Sequence, residues 1–234
     1  LESGVKVKVT STETAASSLD NLVIELADKS NTDNVLDLEI DAVGGSNTGG
    51  LDLDAAGVET LNLVNKATNA ASVNVAGVNG TDDAAVTINV SGTGATTLVG
   101  IDTDVTVISA SAASGALTVA AAQRDADALT VTGGTGDDTI AMENVADVLD
   151  GGLGTDNLVV NYSAILGGIN VDLSASDVVT SLDGGANAAV QTGFEKVDLS
   201  SFTGFGAVVV GSGKDNTIVG TGVADNIKGG KGND

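Results

Sequence analysis

Aspartates set among glycines are the residues of this chain best placed to do chemistry. Gly133 to Ala141 reads GGTGDDTIA and Gly151 to Val159 reads GGLGTDNLV; both fit G-G-x-G-x-D-x-U-x, with U a large aliphatic residue, and they begin 18 positions apart. Glycine opens backbone angles closed to other residues, Asp supplies a hard oxygen, and the aliphatic residue points into a narrow core. If one nonapeptide makes a turn and a short strand, two make a full coil, so residues 18 apart lie one above the other. The expectation is that Asp138 and Asp156 share one cation. The backbone carbonyls of Gly133, Gly134, Thr135 and Gly136, and of Gly151, Gly152, Leu153 and Gly154, would complete the oxygen set. Such a set suits calcium, which takes roughly six to eight oxygens in flexible geometry.

The same register returns at the far end. Gly211 to Val219 (GSGKDNTIV), Gly220 to Lys228 (GTGVADNIK) and Gly229 to Asp234 (GGKGND) start at nine-residue intervals. Here the candidate ligands are Gly211, Gly213 and Asn216, stacked against Gly229, Gly230, Gly232 and Asp234. Asn216 puts a neutral oxygen where a carboxylate would sit, which predicts a weaker site. Gly220, Gly222 and Asp225 form a turn whose partner would lie beyond Asp234. Between the two perfect repeats, Met142 to Asp147 (MENVAD) keeps its Asp, with Leu149 two residues on, but no glycine. It is expected to preserve the coil without a full site. The last repeat breaks off at its sixth position and Leu1 is not an initiator Met, so the chain reads as a piece of a longer protein with further repeats.

Composition narrows the function classes. Among 234 residues, 42% are hydrophobic but only 2% aromatic, so the core must be filled by Val, Leu, Ile and Ala, which suits a thin, layered solenoid. Thirty-two acidic residues against nine basic give a net charge of −23. Nucleic acid and anionic membranes are therefore poor partners and divalent cations good ones. Cys and His are both absent, which removes thiol chemistry, Ser-His-Asp triads and histidine zinc sites together. No long apolar run indicates a transmembrane helix. No catalytic residue is expected; Arg124, the single arginine, sits beside Asp125 and Asp127 and reads as a solvated ion pair.

Short aliphatic runs such as Val35 to Ile40, Val58 to Leu63 and Val86 to Val90 recur along the chain, separated by Gly, Asn, Asp, Ser and Thr. They predict an all-β fold: a parallel β-solenoid, or β-helix-like ladder, running into calcium-binding β-roll segments. The alternative for the first 132 residues is an antiparallel Ig-like sandwich. Absence of proline fits strands that must donate to neighbours on both sides. The divisions expected are a short-strand ladder over 1–132, a roll over 133–160, a β segment with an irregular excursion (Ser174 to Thr192) over 161–210, and a truncated second roll over 211–234. The best helix candidate is Ala120 to Ala128. An internal echo, GVETLNL from Gly57 and GFEKVDL from Gly193, is read as repeated structure with Glu59 and Glu195 projecting outward.

The nonapeptides at 133–141 and 151–159 resemble the repeats of RTX proteins, which Gram-negative bacteria secrete through type I machinery and which fold in extracellular calcium. That resemblance implies carbonyl ligands from the glycine turns and carboxylate ligands from Asp138, Asp156, Asp225 and Asp234. The upstream ladder, rich in Ala, Val, Thr, Gly and Asp, is similar to that of RTX-bearing surface-layer proteins. The similarity implies a secreted structural segment at the cell surface, self-associating in a calcium-ordered lattice, with lipopolysaccharide contacted through regions outside this chain. Two other readings are the stalk of an RTX adhesin and the calcium-binding module of a secreted RTX enzyme whose catalytic domain lies elsewhere.

Overall fold

Alternation of aliphatic and polar residues with a period of two makes each short run a strand with one buried face. In the computed structural model, which describes residues 5–9, 20–26, 31–41, 51–68, 70–80, 84–121, 127–162, 164–187 and 189–234, these runs stack into two long parallel sheets. One sheet contains β1 (Val5–Val9), β3 (Val35–Ile40), β5 (Thr60–Asn65), β7 (Val86–Gly92), β9 (Val105–Ala113), β11 (Thr130–Thr132), β13 (Val148–Asp150) and β18 (Gln191–Thr192), in that spatial order. The other contains β2 (Asp20–Val23), β4 (Leu51–Asp54), β6 (Ala71–Gly77), β8 (Thr96–Val99), β10 (Leu117–Val119), β12 (Thr139–Met142), β14 (Asn157–Val160), β19 (Lys196–Asp198) and β21 (Thr217–Val219). Up to β14 the chain alternates between the two sheets, so each pair of strands is one coil of a parallel β-solenoid. The described strand pairings up to Val160 are all parallel, which excludes the antiparallel sandwich.

Register holds the core in columns. Leu36, Leu61, Ile88, Ile108, Val131 and Leu149 lie on successive strands of one sheet, and Val73, Leu98, Val119, Ile140, Leu158 and Val197 on the other. All twelve are buried, and burying each large aliphatic side chain stabilises the stack by about 1.5–3 kcal/mol. Coil length is loose at first, with Asp20 opposite Leu51, and tightens to 18 residues at the nonapeptides, where Thr139 lies opposite Asn157. Among the described residues one apolar core runs from Ile24 to Val209, and Ile218 of the last division packs against it partly buried.

The excursion is a hairpin. After β14 the chain forms β15 (Ile169–Asp172), β16 (Val179–Leu182) and β17 (Gly185–Ala186), the last two antiparallel to their neighbours. Asp183 (φ 51°) and Gly184 (φ 78°) make the β16–β17 turn, both left-handed as a two-residue hairpin requires. The strands β20 (Ala207–Val210) and β22 (Asn226–Lys228) then extend β15 in parallel, so a third sheet takes over opposite the second. The helix expected at 120–128 falls largely on residues 122–126, outside the described set; Ala120, Ala121, Asp127 and Ala128 are not helical.

One expectation is corrected. Glu59 and Glu195 do not project outward; each is 8% exposed. Glu59 shares strand parity with Leu61 and Leu63, and Glu195 with Val197 and Leu199, so both turn inward at the bend before their strand. There Glu59 Oε2 accepts the Asn34 amide of the preceding coil at 2.7 Å.

Candidate metal centre

The turn 133–138 joins β11 to β12 and the turn 151–156 joins β13 to β14, one coil later. They stack backbone on backbone: Leu153 N–H donates to Gly134 O at 2.9 Å, and Asn157 N–H to Asp138 O at 2.8 Å. Glycine is required where they meet. Gly152 (φ +91°) leaves no room for a side chain, since a β-carbon there would lie 2.5 Å from Gly134 O; Gly154 (φ +145°) similarly abuts Gly136 O.

Both aspartates turn inward on the same side of the roll. Asp138 is 1% exposed; its Oδ1 accepts the Leu117 amide from the coil before at 2.6 Å, and its Oδ2 accepts Gly134 N–H at 2.7 Å. Asp156 is fully buried; its Oδ1 accepts the Asp138 amide at 2.7 Å, and its Oδ2 has no hydrogen-bond partner among the described residues. Burial pushes the Asp138 carboxyl up, against two amide bonds that lower it, while the Asp137 charge raises it further. Burial also pushes Asp156 up to about 6; the Asp138 amide opposes this, and the charges of Asp138, Glu195 and Asp137 add to it.

A buried carboxylate with an idle oxygen, in a turn with no room for a β-carbon at Gly151, Gly152 or Gly154, fits a hard cation. Asp156 Oδ2, the Asp138 carboxylate and the glycine-turn carbonyls are the oxygens that could hold it. Among the described residues, no group of three or more His, Cys, Asp or Glu is arranged as a metal cluster. Backbone carbonyls would therefore have to supply most of the ligands.

The intervening turn, 142–147, joins β12 to β13 and so continues the coil. Asp147 is 3% exposed and ties backbone together: Oδ1 accepts Leu129 N–H at 2.8 Å, and Oδ2 accepts Glu143 and Asn144 N–H, both at 2.9 Å.

At the far end, turn 211–216 stacks beneath turn 229–234, with Asn216 N–H donating to Asp234 Oδ1 at 3.1 Å and Lys231 N–H to Ser212 O at 3.0 Å. Asn216 Oδ1 accepts Ser212 N–H at 2.6 Å. A β-carbon at Gly211 or Gly230 would collide with Gly229 O or Ser212 O, whereas Gly213 faces open space. Asp225 belongs to the opposite edge of the roll, because turn 220–225 runs from the second sheet to the third. It accepts Ala207 N–H at 2.8 Å and Thr221 N–H at 2.9 Å. Burial raises its pKa, but those amides and the Thr221 hydroxyl outweigh this and leave it lowered. Gly220 abuts Asp225 Oδ2, and Gly222 N–H donates to Phe202 O at 2.6 Å.

Sequence reasoning missed Glu195. It completes the column Asp138, Asp156, Glu195, Asn216, Asp234: its Oε2 accepts Asp156 N–H at 3.1 Å and its carbonyl accepts Asn216 Nδ2–H at 3.0 Å. The signal was its place immediately before strand residue Lys196, as Asp138 precedes Thr139. Asp137 and Asp215 were also missed; each accepts the amide of the residue 18 later, Thr155 at 2.9 Å and Asn233 at 2.8 Å.

No protein-family model, curated protein or solved structure matches this chain significantly. No helix among the described residues is long and apolar enough to cross a membrane.

Proposed function

We propose that this chain is a calcium-folded structural segment of a secreted bacterial surface-layer protein, without catalytic residues of its own. The observation that carries the reading is Asp156: a buried carboxylate with one idle oxygen, 18 residues after its counterpart Asp138, both in glycine turns stacked at backbone contact. The RTX-like nonapeptides and the charge of −23 support it, because such a chain repels itself until divalent ions neutralise it. Extracellular calcium modules bind with dissociation constants of about 10⁻⁴–10⁻³ M, and a site at tenfold saturation adds about 1.4 kcal/mol. Several such sites would separate an unfolded chain in the cytosol from a folded one outside the cell. At the surface, the stiff stack would contribute to a self-associated lattice, with lipopolysaccharide held by other parts of the parent protein.

The test has two stages. Circular dichroism and calcium titration of the chain should show folding in millimolar calcium, with magnesium a poor substitute because it demands stricter octahedral geometry. Electron microscopy of the parent protein, with chelator as control, should then show ordered sheets on calcium addition. Calcium-dependent folding without a lattice would transfer the proposal to an adhesin stalk or enzyme module; folding indifferent to calcium would remove it.

A further inference from the structure

Three of the turns aligned with the nonapeptide carry glycine at the fourth position: Gly136, Gly154 and Gly232. Turn 211–216 carries Lys214 there instead. Gly154 and Gly232 need left-handed backbone, φ +145° and +118°; Gly136 and Lys214 do not, and at Lys214 a side chain stands where the other three turns have none.

That side chain reaches back into the acidic column. Lys214 Nζ lies 2.6 Å from Glu195 Oε1; the Glu195 side chain is only 10% exposed, whereas the lysine stem comes in from solvent at 71%. The other Glu195 oxygen is bonded to Asp156 N–H, one coil earlier. Asp156 itself is buried with its Oδ2 idle, and its carboxylate feels the Glu195 charge. The ammonium is held charged by Glu195 first and also by the field of Asp156. An open groove of about 340 Å³, lined in part by Glu195, Ser212, Gly213 and Lys214, connects the pair to solvent.

Two residues lower the negative charge at this one junction: Lys214 replaces a glycine, and Asn216 replaces an aspartate. The chain has only nine basic residues, and this one is placed where the column would otherwise carry adjacent, largely buried carboxylates.

We propose that the Lys214 ammonium is a tethered substitute for a divalent cation, filling a latent calcium site built on Glu195, whose other oxygen holds the Asp156 amide, at the junction between the two rolls. The inference rests on the reading that the glycine turns bind calcium, and deepens it: the junction closes without metal, while the turns on either side require it. Removing the ammonium opens the site. A positive charge fixed to the chain is always present, so the junction needs no ion of its own while the rolls on either side fill with calcium.

The test counts calcium on the whole chain by equilibrium dialysis with radiolabelled calcium at millimolar concentration, with folding followed by circular dichroism. Lys214→Met should bind one more equivalent than wild type, with a dissociation constant of about 10⁻⁴–10⁻³ M. Lys214→Arg, which keeps the charge, should bind no more than wild type, and Lys214→Met combined with Glu195→Gln should lose the extra equivalent. A folded Lys214→Met chain with the wild-type count overturns the proposal. So does a Lys214→Met chain unfolded with and without calcium, because calcium then cannot replace the ammonium. Wild type binding no calcium would remove the reading of the glycine turns, whereas the difference between wild type and Lys214→Met reports on the junction alone.

Discussion

Replacing Asp156 by asparagine should make the calcium-free protein more stable and the calcium-loaded protein no better than wild type. Burial and neighbouring charges raise the Asp156 carboxyl from 3.8 to about 6 in the folded chain. A folded-state pKa above the unfolded value means that ionisation costs stability: the cost is absent below pH 3.8, grows up to about pH 6, and is constant above. A displacement of that size corresponds to at most about 3 kcal/mol at neutral pH. Asp156→Asn removes the charge and keeps an oxygen for the Asp138 amide, but leaves an amide nitrogen where Oδ2 had no partner, at a cost of about 1 kcal/mol. The net gain is about 2 kcal/mol, or ~4–8 °C in melting temperature for a chain of this size. Calorimetry in metal-free buffer at pH 7.5 and pH 4, with trimethylamine N-oxide added to populate the folded chain, measures it, and the gap should close at the lower pH. In millimolar calcium the advantage should vanish, because the ion neutralises the wild-type carboxylate and has one ligand fewer in the variant. An Asp156→Asn chain no more stable than wild type in metal-free buffer at pH 7.5 would show that the carboxylate is not isolated from solvent.

Gly152→Ala should destabilise the fold by about 1–3 kcal/mol, since alanine meets both a left-handed φ and the Gly134 carbonyl; urea midpoints with and without calcium would measure it, and an unchanged midpoint would refute the close stacking. Asp147→Ala should cost about 2–4 kcal/mol equally in calcium and in chelator, because that side chain holds three backbone amides; a calcium-dependent cost would make it a ligand. Leu149→Ala, in the middle of an aliphatic column, should cost about 2–5 kcal/mol in chemical denaturation, and a cost near zero would place that column outside the core.

The nonapeptides were legible because their period and their chemistry coincide: glycines fix the turn, Asp138 and Asp156 fix the side, and 18 residues fix the coil. The upstream ladder was legible as strands but not as register. Its coils vary in length, and only the hydrogen-bond pairing shows that Leu36 lies on Leu61 and Leu61 on Ile88. Glu59 and Glu195 were misread because a charged residue was assumed to seek water; their parity pointed inward, and an amide of the coil before was waiting there. Lys214 was invisible as a partner of Glu195, since nothing in a turn sequence tells where a four-carbon stem will reach.

The parallel ladder also makes this protein a ruler. Strands in a sheet advance by about 4.8 Å, so the nine strands of the second sheet span about 40 Å. The residues spent per coil change that length very little: the coil from Asp20 to Leu51 and the coil from Thr139 to Asn157 each rise by one strand spacing. Loops can lengthen or shorten on the flanks while the axial distance stays graduated in whole coils. Any assembly that fastens to the two ends of such a stack therefore inherits its spacing from a count of coils.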